Sequence, residues 1–267
     1  MNVIHPVRND SVVKNGIDIS YFAITGKGGR AHNEDNYGHS SHKNTVTFIV
    51  SDGVGGQAGG SMASEIVVEM IRQRAQSLDR AEMLHVYQAI EQEILTQQQQ
   101  RLGCEKMGAT VAELRINPAK HMAIWGYLGD SRIYWIRNNE IIKVTRDHSV
   151  VKNLVAAGLI SERQAQFHPQ KNVLLGAFGV AGDVAPEVLE APVYLADGDA
   201  FLLCTDGFWN CASDNDILEL LQSSSSVEEW IKKLEAQVEA TELDNKDNYT
   251  AIGVWITISA DQTVQLG

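Results

Sequence analysis

Two stretches of the sequence share one frame, in which an apolar strand ends in a hydroxyl residue, an aspartate and a glycine. The first is FIVSDG at residues 48–53, and the second is LLCTDG at residues 202–207. An acid at the end of a buried strand lies at the rim of a core, partly shielded from water. The following glycine lets the backbone turn tightly, so that its carbonyl can face the same ion as the carboxylate. The frame therefore predicts two buried strands with acidic ends.

Further acids stand beside other strand-like runs. Asp130 lies in GDSR at residues 129–132, Asp247 opens the last strand, and Glu34 and Asp35 follow the first strand. Several acids at one rim repel each other unless a cation lies between them, and oxygen ligands suit Mg²⁺ or Mn²⁺ rather than zinc. A single Asp-Gly pair more often marks a turn than a metal ligand. Four acids beside strand ends favour a metal site, namely Asp52, Asp130, Asp206 and Asp247, and two of them lie in the same frame.

Composition excludes several classes of protein. The 267 residues carry a formal net charge of −12, which disfavours a nucleic-acid binder. The three cysteines show no CxxC spacing, which is typical of a reducing compartment. We find no signal peptide and no apolar run of the roughly 20 residues that a membrane span needs. We therefore expect a cytoplasmic protein that binds neither nucleic acid nor membrane, and a monomer, since no sign of oligomerisation stands out.

Residue periodicity predicts an α+β sandwich of antiparallel sheets within one domain that covers residues 1–267. The closely spaced strand runs predict antiparallel pairing. Predicted strands cover residues 17–25, 45–51, 110–116, 122–128, 132–136, 141–144, 186–195, 200–205 and 249–258. Predicted helices cover residues 62–76, a second run around 84–94, 151–157, 162–167, 214–221 and 227–241. Residues from about 150 to 183 resemble an insertion over one face.

Motifs that mark several known classes of phosphoryl-transfer and hydrolytic enzymes are missing. The sequence has no GxxxxGK[ST] phosphate loop, no HExxH and no GxSxG. His148 is either catalytic or a hydrogen-bonding strut, and the strut is the commoner role for a lone histidine near a turn. Arg30 is either a phosphate clamp or a solvated surface charge, and its residue type alone favours the surface.

Seven short motifs, taken in order, resemble the type 2C metal-dependent protein phosphatases, in a bacterial-like branch. Each motif is weak alone, but seven in order are specific, and they span the chain from about residue 20 to residue 256. They are RAHNED at 30–35, DGVGG at 52–56, MGAT at 107–110, GDSR at 129–132, TRDHS at 145–149, DGFW at 206–209 and DNYT at 247–250.

This resemblance implies a four-layer α/β/β/α sandwich of two antiparallel sheets flanked by helix pairs. It implies a protein serine/threonine phosphatase that hydrolyses phosphoserine and phosphothreonine with a water activated by two Mn²⁺ or Mg²⁺ ions. Arg30 would bind the phosphate, and Asp35 would orient or deprotonate the water. The implied metal ligands are Glu34, Asp52, the Gly53 carbonyl, Asp206 and Asp247, with Asp130 and Asp206 holding a third, weaker ion. The implied partners are phosphorylated proteins and a cognate kinase pathway, and residues 150–183 would form the flap beside the site.

Three positions depart from the family pattern. Val54 stands where many eukaryotic members have histidine, Ala109 stands where a small hydroxyl residue is common, and Leu175-Gly176 stands where bacterial members often have Thr-Arg. These departures bear on the general acid and on substrate choice. Three rival hypotheses remain: a pseudophosphatase that binds without catalysis, a phosphatase for small molecules, and an α+β domain with acidic turns.

Overall fold

A computed structural model describes residues 10–14, 16–165, 167–182, 184–241 and 246–259. The predicted domain covers residues 1–267, and its residues 1–9, 15, 166, 183, 242–245 and 260–267 lie outside the described ranges. Two of them, 166 and 183, belong to the predicted flap. The strands are β1 Asp10–Lys14, β2 Ile17–Gly26, β3 Asn36–His42, β4 Thr45–Ser51, β5 Gly53–Val54, β6 Gly108–Ala109, β7 Val111–Asn117, β8 Met122–Leu128, β9 Arg132–Arg137, β10 Glu140–Val144, β11 Glu187–Val188, β12 Val193–Tyr194, β13 Ala200–Cys204 and β14 Tyr249–Ile258. The helices are α1 Gln57–Arg74, α2 Arg80–Gln100, α3 Val150–Ala156, α4 Glu162–Ala165, α5 Asp206–Trp209, α6 Asp214–Gln222 and α7 Val227–Ala240.

The strands form two large sheets and one small ribbon. The first sheet has the order β1-β2-β14-β13-β9-β10, and the second has the order β11-β8-β7-β4-β3 with β12 also on β8. A two-stranded ribbon joins β5 to β6. Neighbouring strands pair antiparallel in the sheets and in the ribbon. This pairing confirms the antiparallel prediction.

Three apolar cores hold the layers together. Side chains such as Phe48, Leu114 and Phe201 fill the space between the two sheets. A second core joins α1 and α2 to the β4-β7-β8 sheet, and a third joins α6 and α7 to the β13-β14 sheet. The layers therefore follow the order helix, sheet, sheet, helix. This confirms the predicted four-layer α+β sandwich.

Several elements differ from their sequence-based predictions, and three of these differences have a clear physical cause. Strand β3 was missed, because its sequence NYGHSSH is mostly polar and only Tyr37 and Gly38 are buried. Helix α1 begins at Gln57 rather than residue 62. Its first turn was not predicted, because Gly59 and Gly60 are weak helix formers and no side chain caps the turn. The predicted strand 186–195 is two short strands, interrupted where Pro192 offers no N–H to the neighbouring strand.

A buried ion cluster joins the second sheet to the loop before α2. The Arg115 guanidinium donates to Glu113 at 2.6 Å and to Glu82 at 2.7 Å, and it also donates to the Ser77 carbonyl at 3.0 Å. Arg115 and Glu113 are fully buried. Because both charges are withdrawn from water, Glu113 depends on Arg115 for its solvation, whereas Arg115 is also solvated by Glu82 and by the Ser77 carbonyl.

None of the described helices combines the length and the apolar character that crossing a bilayer would require.

Candidate active site and metal centre

The acidic ends of several strands meet at one edge of the sandwich, around a cleft of about 390 Å³. The cleft is lined by Arg30, Ala31, His32, Glu34, Asp52, Gly53, Val54, Gly55, Gly56, Asp130, Asn172, Leu174, Asp206, Asp247 and Asn248. Seven of the eight predicted site residues are therefore neighbours. Asp35, the eighth, is not on the lining, but it contacts Thr205, the residue before Asp206.

Asp52 is fixed through its backbone at the end of β4. Its N–H donates to the Thr110 hydroxyl at 2.9 Å, and the Thr110 N–H donates to the Asp52 carbonyl at 2.9 Å. The Thr110 hydroxyl also lies 2.7 Å from the hydroxyl of Ser131, next to Asp130. One threonine therefore joins the two acidic turns. This threonine belongs to the MGAT motif, but no local pattern reveals its role, because the contact is long-range.

Close packing of two glycines brings Glu34 against the Asp52-Gly53 turn. A Cβ atom on Gly60 would lie 2.2 Å from Glu34 Oε2 and 2.9 Å from the Gly53 carbonyl oxygen. A Cβ on Gly53 would lie 2.2 Å from the Gly60 carbonyl oxygen. The first turn of α1 can approach the cleft only because both side chains are hydrogen atoms. Sequence analysis missed Gly60, although the Gly59-Gly60 pair is a visible signal.

Asp206 is the first residue of α5, and Asp247 lies two residues before β14. A Cβ on Gly207 would lie 2.0 Å from the Asn248 carbonyl oxygen, so the two segments are packed directly together. Asn248 also accepts the Glu34 N–H at 2.9 Å and donates to the carbonyls of Lys27 and His32. The amide of Asn248 thus ties the loop containing Glu34 to the strand that follows Asp247.

Arg30 is the basic side chain of the cleft. Its guanidinium donates to Asp247 Oδ2 at 2.7 Å, and its side chain is 52% exposed. The residue therefore lies at the cleft and keeps access to solvent. This placement favours the phosphate-clamp hypothesis over a remote surface charge.

Asp35 lies behind the cleft with one oxygen bound and one free. Thr205 donates its hydroxyl to Asp35 Oδ2 at 2.8 Å, whereas Oδ1 is buried without a hydrogen-bond partner among the described residues. Burial raises the pKa of Asp35 to about 7, with further raising by Asp206 and Asp247 and lowering by hydrogen bonds from Thr250 and Thr205. A carboxyl group with this pKa can exchange a proton near neutral pH.

Four of the acids that line the cleft also have raised pKa values. Burial and the neighbouring carboxylates hold the pKa of Asp52 and of Asp130 well above the ordinary value. Burial, followed by the charge of Asp247, raises the pKa of Asp206 to about 6. Burial also raises the pKa of Glu34. The repulsion indicates a site that lacks positive charge.

The residues present fit a divalent cation. The donor set consists of carboxylates and a backbone carbonyl, which Mg²⁺ and Mn²⁺ prefer. Asp130 Oδ1 and Asp35 Oδ1 are buried and have no protein partner within the described ranges. In the same part of the chain, no three carboxylate, histidine or cysteine side chains converge closely enough to enclose an ion by themselves. A bound ion would need carbonyl and water oxygens as well.

His148 has a structural role. Gly129 donates its N–H to His148 Nδ1 at 3.2 Å, and His148 Nε2 lies 3.1 Å from Glu187 Oε1. The ring stacks on Tyr127 with centroids 5.0 Å apart. These contacts support the hydrogen-bonding strut and leave no ring nitrogen directed at the cleft.

The segment around residues 150–182 reaches the cleft through Asn172 and Leu174. It contains α3 and α4, and it is attached where Ser149 pairs with Leu174 and where Phe178 pairs with Ala109. We call residues 150–182 the flap.

Comparison with known proteins agrees with this architecture. The model of the family described as protein phosphatase 2C matches residues 28–246. The serine/threonine phosphatase stp of Listeria welshimeri is 34% identical over 209 residues, which cover 75% of this chain and 81% of the Listeria protein.

Solved structures show the same likeness. The serine/threonine phosphatase of S. agalactiae superposes with a TM-score of 0.80 at 27% identity, covering 90% of this chain and 100% of that chain. The catalytic domain of the serine/threonine protein phosphatase PstP, solved in complex with two manganese ions, has a TM-score of 0.75 at 26% identity and covers 90% and 99% of the two chains. The family match over residues 28–246, together with these relatives, shows that the chain belongs to the protein phosphatase 2C family.

Proposed function

We propose that this phosphoprotein phosphatase hydrolyses phosphoserine and phosphothreonine side chains of proteins at a binuclear Mn²⁺ or Mg²⁺ centre. The observation that carries the proposal is the meeting of five acids and the Gly53 carbonyl around one cleft, in which burial raises the pKa values of Asp52, Asp130 and Asp206. Serine/threonine phosphatase activity is what the names of the related proteins state.

The cofactor of the family is a divalent cation, and we assign its ligands residue by residue. Asp52, Asp206, Asp247, Glu34 and the Gly53 carbonyl would hold two ions. Asp130 and Asp206 would hold a third, weaker ion. When bound, the ions supply positive charge that activates water and neutralises the phosphoryl oxygens. The pair of manganese ions in the related PstP domain supports this assignment.

Two residues carry the remaining steps. The exposed Arg30 guanidinium at the cleft offers parallel N–H donors to two phosphate oxygens and orients the phosphorus for attack. Asp35, with its pKa near neutrality, accepts the proton that the attacking water loses. The water oxygen bonds to phosphorus as the bond to the serine or threonine oxygen breaks. Val54, a cleft residue, cannot protonate the leaving oxygen, so that proton must come from another group or from a water molecule.

The partners follow from the same proposal. The substrates are phosphorylated proteins, and an opposing serine/threonine kinase must supply them. We propose a monomer in the cytoplasm, and the free thiols of Cys104, Cys204 and Cys211 support the cytoplasmic location. A phosphatase for small molecules is the second candidate, because the proposed ligands do not distinguish between phosphomonoesters.

Hydrolysis of a phosphothreonine peptide by the purified protein tests the proposal, with Mn²⁺, Mg²⁺ or EDTA. We expect phosphate release that requires the cation. Asp206→Asn, which removes one ligand charge, should lower turnover at low Mn²⁺ by more than about 100-fold. Wild-type rates in that variant would remove Asp206 from the site. Absence of release by folded protein under both cations would favour a pseudophosphatase or a narrow small-molecule substrate.

A further inference from the structure

One face of α2 is hydrogen-bonded to the C-terminal end of the flap. We call residues 177–180 the flap root. The Glu91 carboxylate accepts the Gly179 N–H at 2.9 Å, and the Gln98 amide donates to the Gly179 carbonyl at 2.7 Å. These two side chains, which we call the clasp, satisfy both backbone groups of one residue. Tyr87, another residue of this helix face, contacts the Phe178 ring at a centroid distance of 5.8 Å.

The fit at the flap root leaves no space for a side chain. A Cβ on Gly179 would lie 2.4 Å from Ile94 Cγ2 and 2.9 Å from the Gln98 amide nitrogen. Gly179 also has a φ of +75°, which favours glycine. Spacings of four, three and four separate Tyr87, Glu91, Ile94 and Gln98, which places them on one side of a helix. The contact is therefore a built feature of α2 and not a chance approach of two loops.

Two backbone pairings continue from the flap root to the cleft. Phe178 exchanges hydrogen bonds with Ala109, at 2.9 Å and 3.1 Å. Ala109 in turn pairs with Gly53 in the small ribbon of β5 and β6. Gln98 also contacts the chain directly before β6, because its amide donates to the Met107 carbonyl at 2.7 Å. The clasp is thus three contacts away from Gly53.

Gly53 has little freedom to adjust on its other side. Its Cα packs against the Gly60 carbonyl, and Gly60 packs against the Glu34 carboxylate. A shift of β6 would therefore be passed to the Gly53 carbonyl and to Glu34 rather than absorbed by a loose neighbour.

We propose that Glu91 and Gln98 are positioning residues that set the affinity of the cleft for its divalent cation. By fixing the flap root they hold β6, and β6 holds the Gly53 carbonyl where the ion requires it. The inference rests on the proposed function, since it takes Gly53 as a cation ligand. It extends that function to two residues that touch neither the ion nor the substrate.

Neighbouring glutamines supply a matched control. Gln98 belongs to the run Gln97–Gln100, which by composition is only a polar helix end. Gln97 bonds within the helix, donating to Glu93 at 2.7 Å and accepting from Arg101 at 2.7 Å. Replacing either glutamine with glutamate preserves its size. Only at position 98 does the change put a carboxylate oxygen against the carbonyls of Met107 and Gly179.

The test measures Mn²⁺ binding by titration calorimetry, together with the Mn²⁺ concentration that gives half-maximal phosphopeptide hydrolysis. We expect Gln98→Glu to raise both values about tenfold while kcat at saturating Mn²⁺ stays near that of the wild type. Gln97→Glu should leave both values unchanged. Glu91→Ala should raise both, whereas Glu91→Gln, which keeps an acceptor oxygen for Gly179, should restore them. The exchange rate of the Gly179 amide proton should rise in Glu91→Ala.

Wild-type Mn²⁺ affinity in folded Gln98→Glu and Glu91→Ala would overturn the inference, because the clasp would then fix only the flap. A lower melting temperature without an affinity change would do the same. If Gln98→Glu does not fold, the comparison of Glu91→Ala with Glu91→Gln decides. A wild-type protein that binds no Mn²⁺ would instead overturn the proposed function, so the two failures are distinguishable.

Discussion

At the scale of the residue, Arg30 lies between a proposed cation ligand, Asp247, and the space that a substrate phosphate would occupy. Its guanidinium is bonded to Asp247, a proposed cation ligand, at 2.7 Å. When a cation takes over the charge of Asp247, the guanidinium is released toward the open side of the cleft, where a phosphate would enter. Arg30 thus balances part of the negative charge of the cleft until a cation does so.

Replacing Arg30 with alanine should therefore affect substrate binding more than chemistry. We expect the KM for a phosphothreonine peptide to rise about tenfold while kcat changes little, because a charge-assisted bond to the ground-state phosphate is lost. Steady-state kinetics at saturating Mn²⁺ measure both values. Arg30→Lys keeps the charge without the paired donors and should recover only part of the loss. An unchanged KM in Arg30→Ala would return Arg30 to the class of surface charges.

At the scale of the element, the start of α1 is shaped by the cleft rather than by helix propensity. Gly56 precedes the helix with a φ of 84° and provides no side-chain cap. Gly60 then lets the first turn press against Glu34 and Gly53. Residues with higher helix propensity at these positions would stabilise the first turn, but their side chains would prevent its close approach to Glu34 and Gly53.

Gly60→Ala tests whether close packing at the cleft outweighs helix propensity at this position. Alanine in a helix is ordinarily favoured over glycine by roughly 0.5–1 kcal/mol. Here its Cβ would lie 2.2 Å from Glu34 Oε2, so we expect Mn²⁺ affinity to fall by about a factor of ten. Calorimetry with Mn²⁺ measures the change, and Ser61→Ala on the exposed side of the same turn is the control. Unchanged affinity in Gly60→Ala would mean that Glu34 moves without consequence.

Elements with strong local patterns were predictable, and elements defined by packing were not. Strands β4, β8 and β14 were predicted with their observed bounds, because their apolar runs end at clear turn residues. The acids at strand ends were predicted as one site, and all but Asp35 line the cleft. Strand β3 carries too few apolar residues to show a period. Thr110, Gly60 and Gln98 act through contacts far away in sequence, which no local pattern encodes.

At the scale of the whole molecule, the raised pKa values of the cleft link folding to pH. The pKa of Asp35 is raised to about 7 and that of Asp206 to about 6, whereas an unfolded aspartate has a pKa near 3.9. A raised value means that the folded state holds the proton more tightly. The resulting stabilisation is complete below about pH 4 and is lost as the pH rises through 6 and 7.

Without divalent cations, the protein should therefore be less stable at pH 8 than at pH 5, by on the order of 5 °C in Tm. Mn²⁺ should abolish most of this difference, because the ion replaces the protons as the source of positive charge. Thermal unfolding in EDTA and in Mn²⁺ across this range measures both effects. Asp35→Asn, which removes one titrating group, should flatten the EDTA curve. A Tm in EDTA that does not fall between pH 5 and pH 8 would contradict the prediction.

For the Arg115 and Glu113 pair, a single substitution should lower the free energy of unfolding by more than the intact pair contributes to it. Arg115→Met leaves the Glu113 carboxylate buried without a partner, so we expect a loss of about 3–5 kcal/mol in unfolding free energy. The double variant with Glu113→Leu should recover most of this loss, since two apolar side chains need no solvation. Urea unfolding of the single and double variants measures the coupling. Additive losses would mean that the two charges are solvated independently.

This buried pair has a consequence for the history of the chain. Losing either charge first leads to an intermediate whose fold is weakened, so a lineage that carries the pair has no easy first step away from it. The pair can persist through descent even if an uncharged core would serve as well. Positions 113 and 115 should then change together or not at all, and a descendant that has lost both charges must have crossed a fitness valley or been rescued by stabilising changes elsewhere.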